Sequence, residues 1–216
     1  MKLFRIKSPN GSAFDPIRGQ TRYFYHKSGY EDFYDMPEML KNGAYKGAVI
    51  TFLDTETGKI ECPFEKTKNV LFSNPIIING VIYLLRGDFN ANKVFLLKYS
   101  FGSEPECIFE MSLDGVELYN FSLCGYPVHI VSQRDKLISY YPERFEVPLE
   151  PNESLEFIEE GRIYLSAWFE DGVEGGTMGE DYRYYNIFRV RDFDGYLLSE
   201  ESGCLDLYPD GKWRIT

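Results

Sequence analysis

Three ten-residue segments of this chain lie over one another without a gap: IIINGVIYLL at 76–85, FIEEGRIYLS at 157–166 and LYPDGKWRIT at 207–216. Each reads as a strand, a turn ending in Gly80, Gly161 or Gly211, and a second strand whose second position is Ile82, Ile163 or Trp213. Glycine at that point has a backbone cause, because a tight hairpin needs positive φ and glycine adopts it without a side-chain clash. FSLCGYPVHI at 121–130, with Gly125, is a weaker fourth copy. The four glycines recur at spacings of 45, 36 and 50 residues, the range of repeats built from four strands each.

A second hairpin pattern comes after each copy except the last. VFLLKY (94–99) and ECIFEM (106–111) succeed the first; KLISYY (136–141) and FEVPL (145–149) succeed the weaker copy; YYNIFRV (184–190) and GYLLS (195–199) succeed RIYLSAWF (162–169). Turn clusters rich in Asp, Asn, Gly and Pro join them. Upstream, AVITFLD (48–54) and KIECPF (59–64) form the same kind of hairpin, with RYFYH (22–26) as a partner strand. The segment DFYDMPEMLKNG (32–43) is the one helix signal, with Pro37 in its first turn, Lys41 near its end and Gly43 as its stop. The last copy runs to Thr216 and has no outer half, so KLFRI (2–6) is the natural strand to cover its edge. The fold expected is all-β: a small β-propeller of about five four-stranded blades, its N- and C-terminal strands closing one blade. Residues 1–216 then form a single propeller-like domain, with 7–45 a poorly matching elaboration. A β-sandwich with long hairpins is the alternative.

NGVIYLL, EGRIYLS and DGKWRIT resemble the inner hairpins of kelch-like and pyrroloquinoline-quinone-type β-propeller repeats. The resemblance runs from about residue 46 to 216. The double glycine of kelch repeats is missing, as are Trp-Asp pairs. The resemblance implies an architecture that serves both binding and catalysis elsewhere, and no activity comes with it.

Composition narrows the partners. With 17 Tyr, 17 Phe and 2 Trp the chain is rich in residues that suit a half-buried pleated surface. Its 34 acidic and 23 basic residues leave a net charge of -11, against the basic patch that nucleic acid demands. No apolar run approaches the length of a membrane-spanning helix, so neither nucleic acid nor membrane is an expected partner. The start MKLFRIK has too short an apolar stretch for a secretory signal, which makes cytoplasmic the expected location. Cys62, Cys107, Cys124 and Cys204 form no C-x-x-C pair and are expected to be reduced, mostly buried thiols.

Chemistry-bearing patterns are sparse. GDFNAN places Asp88, Asn90 and Asn92 at the opening spacing of a calcium loop, but Lys93 stands where that loop needs glycine and Tyr99 where it needs glutamate. It reads as a hairpin turn. His26 and His129 both lie within strand patterns and read as structural. SNPIIING (73–80) resembles the N-P segment of some five-bladed glycosidase propellers, without the acid expected soon after it. The run SEESG (199–203) reads as a solvated turn. EDGVEGGTMGEDY (170–182) is the longest stretch without a strand pattern and is expected to be a loop. Within it Glu170, Asp171, Glu180 and Asp181 are flanked by Trp168, Tyr182 and Tyr184, and aromatic faces beside carboxylates suit a carbohydrate-like ligand. These seven residues are the candidate ligand-binding set. Catalytic residues are not identified, no metal site is read, and no cofactor is expected. The reading is a binding or interaction module that engages a protein partner or a carbohydrate-like small molecule through blade-end loops or an aromatic surface. The alternative is a carbohydrate-active hydrolase or lyase using paired carboxylates from 170–181, or from turns such as Asp54 and Asp88.

Overall fold

The structure, a computed structural model, describes residues 13–174 and 177–216, with the backbone alone for 173–174 and 177–178. The chain divides into two compact units, Met1–Leu118 with Tyr208–Lys212, and Tyr119–Leu207 with Trp213–Thr216. Among the described residues both are built from antiparallel sheets, four of them with four or more strands. No helix is long and apolar enough to cross a membrane among the described residues.

In the first unit β1 (Asp15–Pro16), β2 (Tyr23–Lys27), β3 (Ile50–Asp54) and β4 (Lys59–Glu61) form a meander in that order. The helix α1 (Met36–Lys41) lies in the β2–β3 connection, with proline at its start and Lys41 in its last turn. It is shorter than the segment 32–43, because the Asp32 carboxylate accepts the backbone N–H groups of Tyr34 and Asp35 and holds that stretch as a turn. Gly43 follows the Asn42 cap at φ +141°.

The next sheet has the order β5 (Val70–Phe72), β7 (Val81–Asp88), β8 (Lys93–Tyr99), β9 (Glu106–Ser112), and β6 (Ile76–Ile78) also pairs with β7. β6 lies along the start of β7 and β5 along its end. The break between them is the N-P segment: Pro75 has no N–H to give, while Ser73 donates its N–H to the Leu85 carbonyl (3.0 Å) and accepts the Leu85 N–H on Oγ (2.9 Å). A strand interruption accounts for that motif. Phe52 of β3 stacks on Tyr99 of β8 at 5.1 Å, and the Tyr99 hydroxyl donates to the Glu61 carboxylate at the end of β4.

The second unit holds two complete meanders and a hairpin. They are β10 (Ser122–Cys124), β11 (His129–Gln133), β12 (Lys136–Tyr141) and β13 (Phe145–Pro148); β14 (Glu153–Glu159), β15 (Arg162–Glu174), β16 (Thr177–Asp192) and β17 (Leu197–Ser202); and β18 (Leu205–Leu207) with β19 (Trp213–Ile215). Val131, Leu137, Val147, Ile158, Ile163 and Leu165 pack into one cluster, fed by β11, β12, β13, β14 and β15.

The repeat glycines all take positive φ, but in different turns. Asn79-Gly80 and Glu160-Gly161 have both central residues at positive φ, the two-residue turn whose twist matches its strands. At 207–216 the Tyr208 carbonyl accepts from Gly211 N–H and the Tyr208 N–H donates to Lys212, a longer turn with glycine as its bulge. GDFNAN is a hairpin turn between β7 and β8 as expected. SEESG is not a turn: Ser199–Ser202 belong to β17, paired residue by residue with Phe188–Val190 and Ile187 of β16. Two cysteines also depart from expectation, since Cys62 and Cys107 are exposed, the first just past the edge strand β4 and the second on the edge strand β9. The Lys2–Ile6 strand proposed to close the C-terminal hairpin lies outside the described residues.

Candidate functional site

Residues 170–174 and 177–182 are strand where a loop was expected. β15 and β16 are the longest of the described strands, and beyond Ala167 and Ile187 they outrun the ladders of β14 and β17 and continue as a two-stranded ribbon. The local cause is legible once the pairing is known. Trp168, Phe169, Tyr182, Tyr184 and Tyr185 are strong strand formers, and Gly172 at φ +77° absorbs the one irregularity. There residues 179–182 bulge opposite Gly172, and a Cβ on that glycine would sit 2.8 Å from the Asp181 carbonyl oxygen.

Strand alternation then sorts the candidate residues. Trp168, Glu170, Tyr182 and Tyr184 come together on one side of the ribbon. The Trp168 and Tyr184 rings lie 6.3 Å apart and are 47% and 65% exposed. The Tyr182 hydroxyl donates to Glu170 at 2.7 Å, and that bond raises its pKa. Asp171, one residue along β15, points to the opposite face, where Arg183 Nε donates to it at 3.1 Å. Glu180 and Asp181 are exposed in the bulged segment. Glu170 and Asp171 therefore cannot flank one glycosidic bond, which needs two carboxyl groups converging across a sugar.

The GDFNAN turn assembles no cation site either. The two Asp88 oxygens accept from the backbone of Asn90 and Ala91 and from Arg86, while Asn92 donates to Asp114, so the three side chains of GDFNAN do not converge on a cation. Among the described residues no group of three or more His, Cys, Asp or Glu could hold a metal ion. The carboxyl groups of Asp54, Glu61, Asp114 and Glu146 shift down, away from what a general acid requires. For Asp54 the bidentate Arg22 guanidinium is the cause and holds it at about 2.

His129 and Cys124 are directly paired across β10 and β11, a His–Cys juxtaposition that the spacing of the two residues does not announce. Burial pushes the thiol up to about 12 and the imidazole down, so both stay neutral and no thiolate forms. His129 Nδ1 donates to the Pro127 carbonyl at 2.7 Å, Nε2 is buried without a partner among the described residues, and the ring meets Phe145 and Phe193 edge-on. Acidification must then cost stability: the unfolded chain binds a proton near the ordinary histidine value of about 6.5, the folded chain only at lower pH. Urea midpoints are expected to fall from pH 7 to 5 in the wild type and to fall less in His129→Phe. Equal slopes would sink this account. Asp54 adds nothing in that window, because its contribution is lost only between about pH 4 and 2.

A second constellation on this sheet has no counterpart in the sequence reading. Glu153, at the start of β14, has a fully buried side chain; its Oε1 accepts from Arg189 Nη1 (3.0 Å) and Arg191 Nη2 (2.6 Å), and its Oε2 accepts the Glu150 N–H (2.8 Å). Arg189 also donates Nε to Glu200 on β17 and lies over the Phe169 ring at 5.5 Å. The signal available was R-V-R, two arginines at strand spacing on one face of a strand pattern, just after Ile187 on that same face. Comparison of the chain with family models, curated proteins and solved structures finds no match.

Proposed function

We propose that the chain is a protein-interaction module of small-propeller type, with the β15–β16 ribbon as its contact element. The observation that carries this reading is the pair Trp168 and Tyr184, two large rings left open on a ribbon with no neighbouring strand among the described residues. Tyr185, stacked on Phe169 at 5.4 Å, puts a third exposed ring on the other face. Trp and Tyr are the residues that anchor interfaces, and a ribbon with rings on both faces suits insertion into a groove. Glu170, Asp171, Glu180 and Asp181 surround the rings with Arg183 as their neighbouring cation, so the complementary partner is a protein with an apolar groove edged by Lys and Arg.

Propeller architecture is supported by the succession of antiparallel sheets in chain order, three of them four-stranded meanders and one five-stranded, and by a hairpin β18–β19 with no further strand paired to it among the described residues. A crystal structure pairing Lys2–Ile6 with β19 would bear it out, and two face-to-face layers would overturn it.

For the interaction, the expected result is that the full chain retains a partner from extract of its own cells, that Trp168→Ala with Tyr184→Ala loses it, and that urea midpoints stay within about 0.5 kcal/mol of wild type. Retention should weaken as salt rises from about 0.05 to 0.5 M, on the order of tenfold for a charge-edged contact. The same proteins retained by the double variant would overturn the reading. Hydrolysis of a glycan that Glu170→Gln abolishes would replace it with the carbohydrate-enzyme alternative.

A further inference from the structure

β17 is the last strand of its sheet, paired with β16 on one side and with nothing on the other among the described residues. Its six residues are all exposed, and Leu197 and Leu198, with Tyr196 just before them, each leave more than half of their surface open. An open edge is a row of unpaired backbone groups, which proteins ordinarily guard with lysine, proline or a very short strand. β4, three residues long, and β13, which ends on Pro148, carry such guards; β17 carries none of the three. Its one irregularity lies between Leu197 and Ser199, and Ser199–Ser202 pair with β16 in regular register. That register fixes which groups are open. Gly203 N–H donates to the Asn186 carbonyl (3.0 Å), and bonded and open pairs alternate along an antiparallel ladder. Ser199 and Glu201 therefore turn their backbone groups to β16, while Glu200 and Ser202 turn theirs outward.

The side chains select the occupant. The strand is apolar at its start, acidic at Glu200 and Glu201, and holds no Lys or Arg. Glu200 accepts from Arg189 Nε at 2.7 Å, whereas Glu201 has no cation among the described residues. A second copy of the chain fits poorly. Aligned end to end, two antiparallel β17 strands would set Ser199 against Glu200 and Leu198 against Glu201, so that four carboxylates crowd the centre. A shift that separates the carboxylates leaves only Tyr196–Ser199 overlapping, far less than the roughly 1,200 Å² of a stable interface. A strand that is apolar at one end and basic at the other pairs along the whole edge without either defect.

We infer that β17 takes an added strand from a partner protein, an extended segment with apolar residues beside Leu197 and Leu198 and with Lys or Arg beside Glu200 and Glu201. Main-chain hydrogen bonds to Glu200 and Ser202 hold it, and the charges set its register. This edge is separate from the ribbon, and neither contact requires the other.

The test is a nuclear magnetic resonance titration of the whole isotope-labelled chain with acetylated, amidated hexapeptides up to about 5 mM. TKKTVI sets its lysines beside the two glutamates in an antiparallel arrangement, IVTKKT does so in a parallel one, and TEETVI is the acidic counterpart. Saturable shifts centred on residues 197–203 are expected from one of the two basic peptides and not from TEETVI. Glu201→Lys should weaken that binding about tenfold, and Ser202→Pro, which removes an outward N–H, by at least as much. If Ser202→Pro disturbs the amide spectrum beyond β17, Glu201→Lys decides alone. Trp168→Ala should bind as the wild type does. The inference is overturned if neither basic peptide gives saturable shifts, if the shifts lie elsewhere, if TEETVI binds as tightly, if the edge variants bind as the wild type does, or if Trp168→Ala abolishes binding.

Discussion

Glu153→Gln is expected to destabilise the chain by about 3 kcal/mol, read as a lower urea midpoint with unchanged slope. The carboxylate is completely buried and the two guanidiniums on it are only 16% and 14% exposed, so neither arginine can turn to water when the charge is removed. Glutamine keeps the shape and fails on hydrogen bonding. Glu153 accepts on both oxygens, from two arginines on one side and the Glu150 N–H on the other. Whichever way the amide turns, its N–H₂ meets a donor. Glu200 still neutralises Arg189, which keeps the loss from being larger. Replacing the whole group, as Glu153→Leu with Arg189→Met and Arg191→Leu, should recover most of the loss, because the desolvation cost of three ions disappears with them. A Glu153→Gln loss under about 1 kcal/mol, or a triple variant weaker than the single one, would show that the group is wet and loosely held.

That group marks where sequence reasoning stopped. Strand order was legible because each meander is local: apolar runs such as VFLLKY and KLISYY are separated by turn residues whose φ preferences do not depend on distant contacts. The ribbon was not. Glycine and acidic residues at 170–182 argue for a loop on propensity, and only the partner strand, which pairs Glu170 with Tyr184 and Asp171 with Arg183, overrides that preference. The same long-range pairing decided the site. The seven candidate residues belong to one run of sequence, whereas alternation across the ribbon divides them between two faces. Glu153 lies 36 residues from Arg189 along the chain and meets it only because β14 and β16 flank β15. β5 was missed for a similar reason: three residues, Val70–Phe72, are a strand only because β7 is long enough to pair with two in succession.

The weak fourth repeat offers the second large effect, since Gly125→Ala is expected to cost about 3 kcal/mol where Gly80→Ala costs about 1. The two glycines share a backbone conformation, φ +78° and +79°, so the penalty of placing alanine in the left-handed region is common to both. What differs is the space beside them. A Cβ on Gly80 would meet nothing within 4 Å, while one on Gly125 would lie 2.4 Å from the Ile158 carbonyl oxygen and 3.1 Å from its carbon. Relief by moving apart is blocked, because Tyr126 N–H donates to that same carbonyl at 2.8 Å and Tyr126 bridges to Glu159 at the end of β14. Ile158 also belongs to the packed cluster of this unit. Urea midpoints of the two variants, followed by both circular dichroism and tryptophan fluorescence, separate the contributions. A loss in Gly125→Ala well beyond that in Gly80→Ala means that the glycine of FSLCGYPVHI serves the approach of two backbones from different sheets. Equal losses would mean that conformation alone requires it.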